Sequence, residues 1–247
     1  MCGRITLAVE PGEIAEYFQL SEVPLLEPRY NIAPTQNVAV LRNAPGKGVR
    51  ELALLRWGLI PSWAEDLNVG SRMINARSET IAHKPAFREA FKKRRCLVAA
   101  DGFYEWKREG GGKQPYIIRV KDQKCFALAG LWDRKDTPEG PLETFTILTT
   151  SANELVAPLH DRMPVILDTA GCEQWLDESV QDQEKLKSLL RPYPAERMCM
   201  EPVDDFVNNP ANEGERCIAP PAARPAAEES KPARRRRGED PNQGMLF

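Results

Sequence analysis

The second residue is a cysteine, and its position matters more than its type. Loss of Met1, which a small second residue permits, would leave Cys2 at the start of the chain. Its α-amine would then have an ordinary pKa of about 7.7–8.0 and its thiol one of about 8.5, so both nucleophiles are partly active near neutral pH. They sit two carbons apart. Such an aminothiol condenses with an aldehyde: the amine forms an imine, and the thiol closes a five-membered thiazolidine. An internal cysteine lacks this chemistry. Two kinds of enzyme would use such a terminus. One is an amidotransferase of the N-terminal-nucleophile class, which also begins Met-Cys-Gly and releases ammonia from glutamine. The other attacks a carbonyl on damaged nucleic acid. A cysteine that is at this position by accident is the plain alternative.

Further along, three polar groups stand in company that suits proton transfer or anion binding. Asn75 lies in Ile74-Asn75-Ala76-Arg77-Ser78-Glu79-Thr80. An amide beside an arginine can hold a polar ligand and clamp an anionic oxygen; the same heptapeptide also reads as the start of a helix capped by Ser78 or Thr80. Glu105 lies in Asp101-Gly102-Phe103-Tyr104-Glu105-Trp106-Lys107. Large aromatics around a carboxylate strip its hydration and raise its pKa toward the range of a proton shuttle. An exposed strand glutamate paired with Lys107 is the competing reading. His160 precedes Asp161 and Arg162, where it could relay protons while Arg162 grips phosphate, or simply cap a surface loop. His83 has no such company and is read as structural. Arg29–Thr35 and Trp57–Trp63 are aromatic, proline-containing loops. They suit stacking on bases or wedging between them, and equally suit core tryptophan and rigid turns.

These residues need strands to position them. Short apolar or alternating runs predict strands over Asn37–Arg42, Leu52–Trp57, Cys96–Ala100, Tyr116–Val120, Cys125–Leu131 and Phe145–Thr150. Gly110-Gly111-Gly112 predicts a hairpin between Phe103–Lys107 and Tyr116–Val120, and Asp122-Gln123 predicts a turn into the next one. Helical spacing appears over Gly12–Leu20, Ala86–Lys93, Ala170–Leu176 and Gln183–Leu190. Strands that do not alternate with helices predict an α+β domain of mainly antiparallel sheet with a few short helices, not a doubly wound fold. The domain is expected over 1–218. Residues 219–247, rich in Pro, Ala and charge, predict a disordered tail.

Composition narrows the classes further. The chain has 247 residues, 42% of them hydrophobic, which is enough for a sizeable core. The formal net charge of −2 neither demands nor excludes a nucleic-acid partner, so any basic site must be local. No run is apolar and long enough to span a membrane, and the first residues lack the pattern of a secretory signal. Six cysteines without a C-x-x-C pair, beside only two histidines, give no basis for a zinc site. Reduced thiols in a cytoplasmic protein follow, with no metal or cofactor expected.

Taken together, Met-Cys-Gly-Arg at the start, RYNIAP (Arg29–Pro34), WGLIPSW (Trp57–Trp63), INARSET (Ile74–Thr80), DGFYEWK (Asp101–Lys107), Gln114-Pro115-Tyr116 and LHDRMP (Leu159–Pro164) resemble, in that order, the SOS-response-associated peptidase family. The resemblance covers about 1–218. It implies a protein, expected to act as a monomer, that recognises abasic sites in single-stranded DNA and crosslinks to them through Cys2. It implies that Asn75, Glu105 and His160 complete the active site, that Arg4, Arg77 and Arg162 contact DNA, and that the Pro34 and Trp63 loops wedge and stack. The family name also implies removal of Met1 by the protein itself. An imine intermediate further permits weak strand cleavage by β-elimination. In a bacterial cell such a protein is expected in the cytoplasm and at the nucleoid when bound to DNA. A binding module that holds single-stranded DNA without chemistry is another reading of the same arginines and aromatics.

The tail lies outside this resemblance. Its last residues, Gln243-Gly244-Met245-Leu246-Phe247, look like the Q-x-x-L-F peptide by which bacterial replication and repair proteins dock on the DNA sliding clamp. Gln243 suits a pocket mouth, and Leu246 and Phe247 an apolar cleft. A flexible tether ahead of them raises effective concentration, and Arg234–Arg237 is placed to touch phosphate.

Overall fold

The structure is a computed structural model and describes residues 2–22, 24–46, 49–109 and 112–221. The expected clamp peptide, Gln243 to Phe247, and the basic run Arg234–Arg237 lie outside the described residues. Along the chain come β1 (Ile5–Leu7), α1 (Pro11–Phe18), β2 (Arg29–Ile32), β3 (Asn37–Asn43), β4 (Arg50–Trp57), β5 (Asn75–Arg77), α2 (Arg88–Lys93), β6 (Arg95–Ala100), β7 (Gly102–Glu109), β8 (Gly112–Val120), β9 (Phe126–Thr137), β10 (Gly140–Ser151), β11 (Arg162–Pro164), β12 (Ile166–Leu167), α3 (Thr169–Leu176), α4 (Gln183–Ser188) and β13 (Met198–Pro202). Among these residues no helix is long and apolar enough to cross a membrane.

The strands make two sheets. In the larger one the pairings β10–β4, β4–β3, β3–β6, β6–β9 and β9–β10 return to their start, so five strands close a ring. Closure draws β6, β9 and β10 tightly together. A Cβ at Gly130 would lie 2.9 Å from Cys96 Sγ and 3.0 Å from the Thr146 carbonyl oxygen, so only glycine permits that approach. The smaller sheet has the order β13–β8–β7–β1–β2 and is antiparallel throughout. Antiparallel pairing dominates, as expected; the parallel contacts are those of β10 with β4 and β5.

The main core fills the space between the sheets with side chains such as Trp57, Phe103, Phe126, Phe145 and Trp175, each fully buried. Each such side chain contributes on the order of 2–3 kcal/mol by leaving water. A second, small cluster lies on the opposite face of β7 and β8. There Tyr104, Ile117, Val203, Val207 and Cys217 pack together, because the chain after β13 returns as short helical turns at Asp205–Asn208 and Glu215–Ile218 and covers that face.

Three local expectations change. Asp122-Gln123 does make a turn, with Asp122 at φ 59°, but not a hairpin. Both edges of β8 are already taken, by β7 and by β13, so the turn passes the chain from one sheet to the other. The first half of Arg29–Thr35 is not loop but β2, paired to β1. The heptapeptide around Asn75 does not begin a helix: its first half is β5, held parallel to Ile147–Thr149 of β10.

Candidate active site

Pairing with β7 fixes the N-terminal segment. Ile5 lies opposite Phe103, and the Tyr104 amide donates to the Arg4 carbonyl at 3.0 Å. Asp101 anchors the far end of β1, accepting from the Thr6 hydroxyl and from the Ala8 amide. This register carries Cys2 back toward Glu105. From the other sheet, β5 brings Asn75, whose side-chain amide donates to the Cys2 carbonyl at 2.7 Å. That bond orients the Asn75 side chain. Its Oδ1 is buried without a hydrogen-bond partner among the described residues, an acceptor available to a ligand.

His160 shares a groove with Glu105. It ends a turn that Asn153 caps by accepting from the Val156 amide, while the Asn153 side chain donates to the Tyr193 carbonyl. Nδ1 of His160 accepts the Arg162 amide at 2.9 Å, which leaves the proton of the neutral ring on Nε2. The same Nδ1 is 2.8 Å from Asp161 Oδ1, a partner for the charged ring. His160 and Glu105 line one groove of about 470 Å³.

The electrostatics separate the roles. Glu105 is buried, and burial raises its pKa to about 7. The carboxyl is therefore poised to give and take protons at neutral pH. It is not an exposed strand glutamate. His160 is shifted downward by burial, so it is neutral near pH 7. Cys2 is fully buried, and burial, followed by the negative charge of Glu105, pushes its thiol well up. The thiol needs a base before it can attack.

The expected DNA-contacting residues divide. Arg77 is exposed, and its guanidinium makes no hydrogen bond or ion pair among the described residues. Arg162 is already engaged: Nη1 and Nη2 bind the two carboxylate oxygens of Glu79 at 2.7 and 2.9 Å. Arg4 is buried, and its Nη1 donates to Asn31 Oδ1 and to the Val207 carbonyl. Asn31 Nδ2 in turn donates to the carbonyls of Asn209 and Asn212. Arg4 thus holds the Cys2 strand to the C-terminal turns and is turned inward.

Pro34 is half-buried in a turn whose next residue, Thr35, has φ 72°. That turn is stitched to the end of β4, since the Thr35 amide donates to the Trp57 carbonyl and the Trp57 amide to the Gln36 carbonyl. The two tryptophans of the following loop differ. Trp57 is core, with its indole N–H on the Ile74 carbonyl, whereas Trp63 is 64% exposed. Gly58, at φ 126°, lets this loop touch the turn at Leu67–Arg72; a Cβ there would lie 2.6 Å from the Gly70 carbonyl oxygen. Pro34 and the Trp63 loop therefore hang from one rigid strand end.

Two features escape a reading along the sequence. The Arg4–Asn31 network joins residues far apart in the chain. The groove beside Glu105 and His160 is also walled by Trp106, Lys107, Arg108 and Lys113, and only the β7–β8 register shows that these cations meet.

The family model described as SOS response associated peptidase (SRAP) matches residues 1–210. The chain is 47% identical over 217 residues to abasic site processing protein YoqW of Bacillus subtilis, covering 86% of this chain and 96% of that protein. It is 35% identical over 224 residues to abasic site processing protein HMCES of Gallus gallus, covering 78% of this chain and 66% of that one. Among solved structures, a protein from Bacteroides thetaiotaomicron superposes with a TM-score of 0.78 at 29% identity, covering 90% of this chain and all of that one.

Proposed function

Because the chain belongs to the SOS response associated peptidase family, we propose that it processes abasic sites in single-stranded DNA by forming a covalent thiazolidine through Cys2. The names of YoqW and HMCES support the substrate. The observation that carries the chemistry is the buried Glu105, with a pKa of about 7, set against an N-terminal segment that Asn75 holds by the Cys2 carbonyl.

The steps follow from the groups present. Met1 is first removed, by the protein itself or by another peptidase, and the α-amine of Cys2 is freed. An abasic deoxyribose opens to its aldehyde, and His160 Nε2–H donates to the ring oxygen as it leaves. The amine attacks the aldehyde carbon. Glu105 takes a proton from nitrogen and returns one to the departing hydroxyl, so water leaves and an imine forms. Glu105, now a base, takes the thiol proton that burial has kept in place, and sulfur closes on the imine carbon while nitrogen regains a proton. The net reaction joins aldehyde and aminothiol with loss of water. Asn75 Oδ1 accepts from a sugar hydroxyl. If closure fails, the imine permits β-elimination, a weak lyase reaction. Arg77 and Arg162 hold flanking phosphate, Arg162 by exchanging Glu79 for it, and Pro34 and Trp63 separate and stack the bases. Arg4 acts indirectly, by holding the strand that carries Cys2.

The amidotransferase reading rests on three residues, whereas the family match runs through residue 210. Cys2→Ala tests the choice. The variant should bind abasic single-stranded DNA and give only an imine that borohydride traps, while the wild type gives a heat-stable adduct without reductant. An equally heat-stable adduct from Cys2→Ala overturns the thiazolidine. The tail extends the reading: Gln243, Leu246 and Phe247 dock on the sliding clamp and bring the protein to replicating DNA, where unpaired template is exposed.

A further inference from the structure

We propose that Lys107, Arg108 and Lys113 form a track for the phosphate backbone of the single strand on one side of the abasic nucleotide, leading away from Glu105 and His160. This rests on the reading of the site as an abasic-site centre and adds the path of its substrate. The groove is continuous with that centre, since Glu105 and His160 lie in its wall together with the three cations.

The register of the hairpin makes the cation pair unusual. Arg108 of β7 lies directly opposite Lys113 of β8, so both side chains share one face. Like charges directly opposite one another oppose strand pairing. Both residues are exposed, and neither makes a hydrogen bond or ion pair among the described residues. A polyanion would supply counter-charge to both. Of the other cations near the site, Arg162 is held by Glu79 and Arg4 is buried, which leaves Arg77 as the further exposed one. The chain as a whole carries a formal charge of −2, so this local patch is not the overflow of a basic protein.

The form of the strand follows from the groove's aromatic wall. Trp106 is half-buried, its indole N–H bound to Asn208 Oδ1 at 2.6 Å and the Arg4 guanidinium 5.7 Å from its ring centre. The ring is fixed before any ligand arrives. An unpaired base has a face to lay against it; a paired base does not.

The test compares wild type with the Arg108→Ala/Lys113→Ala double variant, and with Arg108→Lys as the charge-keeping control. Second-order rates of adduct formation are measured against salt on abasic oligonucleotides carrying single-stranded flank on both sides, on the 5′ side only or on the 3′ side only, and with one flank made duplex. The double variant should flatten the log–log salt dependence by about 0.7 for each phosphate that is no longer neutralised, and its deficit should depend on the flank on one side and vanish with the flank on the other. Arg108→Lys should keep the wild-type slope. An unchanged slope in the double variant, a deficit indifferent to which flank is present, or a deficit seen only with duplex flank would each overturn the track. Wild type giving no adduct on any of these oligonucleotides would instead strike the abasic-site reading, while filter binding of undamaged single strands to both proteins would still test the groove.

Discussion

In the proposed reaction the proton transfers turn on Glu105. Its carboxyl is raised to about 7 by burial, so near pH 7 both protonation states are populated and the same group can take a proton from nitrogen or sulfur and give one to hydroxyl. Glu105→Gln removes the exchange but not the shape. Adduct formation should slow by about 10²–10⁴-fold, with less effect on DNA affinity, and the inflection near neutral pH should disappear from the rate profile. The same shift has a consequence for stability. A carboxyl whose folded pKa is raised favours the fold while protonated; that contribution is complete below the ordinary carboxylate range and is lost as pH rises through about 7. Glutamine stays neutral, so Glu105→Gln should gain on wild type by on the order of 2–4 kcal/mol between acid and mildly alkaline pH. Denaturant melts at the two pH values measure it, and a gain that does not grow with pH would mean the carboxyl is not buried as described.

At the scale of elements, β1 is short, and its hold depends on what grips it from both sides. Asn31 of β2, itself buried, accepts from Arg4 and donates to carbonyls of the C-terminal turns. Asn31→Ala would leave the Arg4 charge and those carbonyls without their partner, at a cost of about 2–4 kcal/mol. Urea unfolding should show that loss, and a change below about 0.5 kcal/mol, the range of ordinary surface substitutions, would deny the network its role. The longer strands, β3, β4, β6, β9 and β10, were legible from their apolar runs because each buries a face over several residues. β1, β2, β5 and β13 were not, since each is brief and gains its order from a partner distant in sequence. Asn75, Glu105 and His160 stood out through their neighbours, and the structure brings them together around Cys2. The inward turn of Arg4 could not be read, because Val207 covers it from the other end of the chain. Nor could the meeting of Arg108 and Lys113, which is a matter of the β7–β8 register.

As a whole molecule, the protein combines a folded domain of the SOS response associated peptidase family with a C-terminal segment whose sequence suits tethering. A peptide carrying Gln243–Phe247 should bind purified sliding clamp in a titration, and the Leu246→Ala/Phe247→Ala peptide should not; equal binding by both would remove the clamp from the scheme. The central claim concerns the other end of the chain. It is tested most directly by the intact mass of the protein after incubation, without reductant, with single-stranded DNA carrying one abasic site. The predicted species is the chain lacking Met1, joined to the oligonucleotide with the loss of one water, and absent when the DNA is undamaged. Protein that keeps Met1 and yet forms the adduct, or processed protein that stays at its own mass beside intact abasic DNA, would contradict it.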